Sequence, residues 1–85
     1  MILRNHGLLT CGATVAEAFN LMLWLETACK AQVDTLAMGR EIVVPDEVVL
    51  NRTARLYDPD VRQFGLLEWD AMLRLLDRED SSYRD

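Results

Sequence analysis

Thr14-Val15-Ala16-Glu17 is the stretch of this 85-residue chain whose reading decides the fold. The Thr14 hydroxyl can accept from the third helical N–H while the Glu17 carboxylate reaches back to the N–H of the cap, a reciprocal arrangement that fixes a helix start. The pattern predicts a helix from there to about Met38, carried by strong helix formers and stopped at Gly39. Its apolar residues Phe19, Met22, Leu23, Trp24, Leu25, Ala28 and Leu36 occupy more than one stripe, while Glu17, Glu26, Lys30 and Asp34 mark the wet side. So wide an apolar girth calls for contacts on two sides.

Downstream, Arg40 to Val44 reads as an extended connector. Pro45-Asp46-Glu47 then places Pro at the first position of a second helix and two acids against its dipole, with the helix running to about Tyr57. Asp58-Pro59-Asp60 breaks the pattern. A third helix is expected from about Val61 to Asp77, with Gly65, Trp69, Met72, Leu73 and Leu76 on one face and Gly65 weakening its first turns. The polar tail Arg78 to Asp85 reads as loose, with Tyr83 in solvent. Upstream, Met1-Ile2-Leu3 and Leu8-Leu9-Thr10 read as two short strand segments around a turn marked by Gly7. An opening that is apolar from its first residue resembles the middle of a buried strand, so further chain is expected upstream.

The formal net charge is −5, and the nine Lys and Arg residues are scattered without a basic stripe, so neutralisation of a phosphate backbone has no footprint and nucleic acid is not an expected partner. The most apolar run, Ala18 to Leu25, is closed by Glu17 and Glu26 and falls well short of the ~20 residues that cross a bilayer. No membrane association is expected. Cys11 and Cys29 form no CxxC pair, and no secretory leader precedes them, which points to a reducing cytoplasm. With 51% hydrophobic residues, a chain this short only just reaches the burial that ordering demands. Its apolar faces are therefore expected to be covered by a second copy or by the remainder of a larger domain.

Residues that could carry chemistry are few. His6, the single histidine, lies beside a glycine at the end of an apolar strand, where a fixed backbone can present a side chain to a cleft. Zinc needs three or four protein donors, however, and no second His or spaced Cys pair accompanies it. On spacing alone, a structural or solvent-facing histidine is the plainer reading. Asn5 and Gly7 fit either a turn that uses positive φ or a loop shaped to present His6. Glu68 and Asp70, two apart on a helix, face apart and make no catalytic carboxylate pair. Trp24 and Trp69, at helical spacing among Leu and Met, read as core.

Leu3-Arg4-Asn5-His6-Gly7-Leu8-Leu9-Thr10-Cys11-Gly12, followed by Thr14-Val15-Ala16-Glu17-Ala18-Phe19 and Leu25-Glu26-Thr27-Ala28-Cys29, resembles the NHG strand and following helix of the class II aldolase/adducin family. The ending Leu76-Asp77-Arg78 to Ser82-Tyr83-Arg84-Asp85 is similar to the C-terminus of many members. The resemblance implies that residues 1–85 are a C-terminal fragment of a domain with an α/β fold, a central mainly antiparallel sheet flanked by helices. The fragment itself would be mostly α-helical, with about three helices after a short N-terminal hairpin.

The same resemblance implies a divalent metal, usually zinc, that polarises a small carbonyl or sugar-like substrate in aldolase-type lyase chemistry, and assembly as a homo-oligomer. His6 matches the last of three histidine ligands; the other two and the acid/base carboxylate would lie upstream. The chain by itself is then expected to bind no cofactor and to be catalytically silent. The alternative within the family is an adducin-like, non-catalytic module kept for oligomerisation or protein interaction.

Overall fold

A hairpin, a long helix and two shorter helices follow one another along the chain. The computed structural model describes residues 1–85 except Pro59, Arg62 and Asp85. Strands β1 (Ile2–Leu3) and β2 (Gly7–Leu8) pair antiparallel, with Ile2 opposite Leu8 and Leu3 opposite Gly7. Helices α1 (Val15–Ala37), α2 (Glu47–Arg55) and α3 (Leu66–Glu79) follow, and a 3₁₀ turn at Ser82–Arg84 ends the described chain. The chain is thus mostly helical, with three helices after a two-stranded hairpin.

The start of α1 forms as its sequence dictates. Thr14 is extended, and its Oγ1 accepts from the Glu17 N–H at 3.1 Å. The return arm lands one residue earlier than the capping-box spacing predicts, because the Ala13 N–H, not that of Thr14, donates to Glu17 Oε2 at 2.6 Å. Thr14→Ala removes the only side-chain acceptor at this cap and is expected to cost about 1 kcal/mol, read as a lower urea midpoint. At the other end Gly39 takes φ +64, the left-handed conformation that closes a helix.

Three boundaries differ from expectation. Pro45 sits before the cap of α2 and outside the helix: Asp46 is the N-cap, with its C=O accepting from Val49 and Leu50, and Glu47 is the first helical residue. That helix ends at Arg55, where Leu56 and Tyr57 continue only as tight turns. Gly65 does not weaken α3 from within but begins it, at φ +98, so the helix runs Leu66–Glu79 and residues from Val61 precede it. Of the predicted break at Asp58-Pro59-Asp60, Pro59 lies outside the described residues, as does Asp85 of the tail.

The tail is not loose as far as it is described. Tyr83 Oη donates to Asp77 Oδ1 at 2.6 Å, Arg84 pairs with the other oxygen of Asp77, and the Arg84 Nε–H donates to Tyr83 Oη at 3.1 Å. The Ser82 backbone N–H, together with its hydroxyl, holds the Asp80 carboxyl below the usual carboxylate range.

Packing is confined to one end of α1. Gly65 lies against the Ala16 backbone, and Phe19 meets Trp69 edge-on with centroids 5.4 Å apart. On another side Thr10 Oγ1 donates to the Ala18 carbonyl at 2.8 Å, tying the hairpin to the first turn. No Cα of α2 lies within 8 Å of one in another helix or strand.

The accessible surface is 7693 Å², against roughly 5,100 Å² for a compact protein of this mass, and the radius of gyration is 16.2 Å, against about 12 Å. The chain therefore holds open apolar faces that its own elements do not cover. Among the described residues, no helix is long and apolar enough to cross a membrane.

Candidate functional site

The site is the tip of the hairpin. Leu3 C=O accepts from the His6 N–H at 3.2 Å, closing a turn whose third residue, Asn5, takes φ +61. Asparagine tolerates this left-handed conformation better than other side chains do, since its short amide can bond locally. Gly7 follows at φ +113, where a Cβ would be strained. Two consecutive left-handed demands thus explain why Asn and Gly flank the histidine. The base of the hairpin is fixed by a pair of bonds, Leu9 N–H to Met1 C=O at 2.9 Å and the Met1 ammonium to Leu9 C=O at 2.8 Å.

His6 itself is exposed, with Nδ1 2.9 Å from the Arg4 carbonyl oxygen. A carbonyl can only accept, so this contact places the proton on Nδ1 and leaves the Nε2 lone pair free. An imidazole whose Nδ1–H is tied to a backbone carbonyl has a set ring orientation and the tautomer that ligates a metal through Nε2. Among the described residues, no group of three or more His, Cys, Asp or Glu side chains lies close enough to hold a metal ion. One donor does not satisfy zinc, so the residues present do not fit a metal by themselves, and no catalytic step is derived from them.

The other residues singled out in the sequence are scattered. Cys11 is exposed and Cys29 half-buried, both as free thiols. Trp69 packs against Phe19 as expected of a core residue, but Trp24 is 52% exposed and does not. It lines a groove of about 390 Å³ together with Thr53, Leu56, Tyr57, Phe64 and Glu68, in which Tyr57 and Phe64 stack at 5.6 Å. Glu68 borders this groove and Asp70 does not, consistent with two carboxylates that face apart.

Asn20, passed over in the sequence, is 1% exposed with no partner for its Oδ1. Its only sequence signal is being the lone amide in the apolar run from Ala18 to Leu25.

Residues 1–33, which include the hairpin, the cap and more than half of α1, match the family described as Class II Aldolase and Adducin N-terminal domain. A Pseudomonas aeruginosa protein named for the class 2 aldolases is 36% identical over 88 residues, covering 99% of this chain and 34% of its own length. A similarly named protein of Caulobacter vibrioides is 38% identical over 86 residues, covering 100% and 34%. Rat alpha-adducin is 35% identical over 92 residues, covering 91% of this chain and 12% of its own. No solved structure matches significantly. The chain spans about a third of the length of the bacterial relatives, 34% in each case. It belongs to the class II aldolase/adducin family and covers only a portion of that family's domain.

Proposed function

We propose that these 85 residues are the C-terminal part of a metal-dependent, aldolase-type lyase acting on a small carbonyl or sugar-like substrate, with His6 as one of the metal's ligands. The observation that carries this reading is the imidazole at the hairpin tip, exposed and held by Arg4 C=O in the Nε2-ligating tautomer. The remaining ligands and the acid/base group would come from outside the chain, as would the strands that complete an α/β sheet around the hairpin. When bound, the metal, zinc in this reading, supplies the positive charge that polarises the substrate carbonyl. The chain's own contribution is to fix His6. The exposed apolar faces further support assembly of the parent protein as a homo-oligomer.

The test is a chimaera in which these residues replace the matching third of the Pseudomonas relative. With His6 it is expected to retain one zinc per chain. With His6→Ala, zinc affinity falls by at least about a hundredfold, measured by competition with a chelator. Equal zinc content and affinity in the two proteins would rule out a ligand role. A non-catalytic, adducin-like assembly module is the second reading, supported by the adducin matches, and it predicts normal assembly in the His6→Ala chimaera with no zinc in either form.

A further inference from the structure

The C-terminal half of α1 is where the uncovered surface has a pattern. The hairpin and α3 pack on the first turns of this helix, through Ala16, Ala18 and Phe19. Beyond Trp24 the apolar stripe continues without cover: Cys29 is half-buried, Val33 is 65% exposed and Leu36 58%. These three recur at i, i+4 and i+7, the spacing of a seam between two helices. Beside the seam stand Lys30, already 3.6 Å from Glu26 in its own chain, and Asp34.

We propose that this half-helix is a self-complementary docking surface for a second copy of the chain, the two α1 helices pairing antiparallel about a two-fold axis near Gln32 and Val33. The register follows from the sequence itself. An axis there sets Val33 against Val33 of the second copy and Cys29 against its Leu36, and brings Lys30 on one copy to Asp34 on the other, twice over. A two-fold interface requires this reciprocity, and residues on the same flank of antiparallel helices meet each other.

The area agrees. The chain exposes roughly 2,600 Å² more than a compact protein of its mass, whereas a stable dimer buries about 1,600 Å² in all. The proposal specifies the surface behind the oligomeric part of the functional reading above and is independent of the metal.

Sedimentation equilibrium on the 85-residue chain, from about 1 to 300 μM, reads it directly. A monomer–dimer equilibrium is expected. Leu36→Glu, at an exposed position the fold does not use, should weaken it by roughly a hundredfold while leaving the far-UV circular dichroism unchanged. Lys30→Glu and Asp34→Lys should each weaken the dimer, and the two combined should restore it.

A wild-type monomer throughout the range, a larger oligomer, or a dimer indifferent to Leu36→Glu would overturn the proposal. Sensitivity to Leu36→Glu without rescue by the charge exchange would overturn the antiparallel register. None of these variants touches His6, so zinc affinity in the chimaera is unaffected by any of these outcomes.

Discussion

Gly65→Ala is expected to lower the stability of the packed end of the chain by about 3 kcal/mol, enough to detach α3 from α1. Two costs combine. At φ +98 any side chain is strained, by about 1–2 kcal/mol. A Cβ would also point into the backbone of the first turn of α1, 2.7 Å from the Ala16 carbonyl carbon and 3.0 Å from the Glu17 nitrogen, neither of which is a flexible side-chain end that could step aside. Relief requires moving α3 as a body, which opens the Phe19–Trp69 contact. Trp69 emission should shift to the red at urea concentrations where the parent chain is still packed. An unchanged midpoint would mean that α1 and α3 are not held at this contact.

Asn20→Leu is expected to do the reverse, raising stability by about 1–2 kcal/mol. The Asn20 side chain is 1% exposed and its Oδ1 accepts no hydrogen bond, so the folded state carries a desolvated acceptor that water would serve in the unfolded chain. Leucine has a similar size, removes the orphaned oxygen and is the better helix former at a mid-helix position. The check is an upward shift in the urea midpoint with an unchanged slope. A downward shift would show that the amide finds a donor in solution.

Local chemistry was legible along the chain. The Thr14-x-x-Glu17 cap, the Gly39 stop and the turn around Asn5 to Gly7 each depend on residues within four positions of one another, and each is found. Gly65 was misread because its reason is not local. As one residue in a helical pattern it counts as a weak helix former; in the fold it is the point where two backbones touch.

Trp24 and Tyr83 fail for the same reason in opposite directions. Helical spacing places Trp24 in a core that the chain does not build, and a polar tail hides the bonds that Tyr83 makes to Asp77, one turn before the end of α3. For His6 the sequence supplied the residue and the glycine beside it. The carbonyl that selects its tautomer belongs to Arg4, two residues back, and no sequence pattern specifies that contact.

The isolation of α2 sets the terms in which any measurement on this chain is interpreted. A nine-residue helix with no neighbouring element is marginal in water, so its hydrogen bonds open and close independently of the rest. Both tryptophans sit on α1 and α3. Fluorescence therefore follows the melting of that pair alone, whereas circular dichroism adds the signal of α2, and the two probes need not coincide. Such a molecule has no single cooperative transition, and its free energy of unfolding belongs to the α1–α3 unit and not to the whole chain.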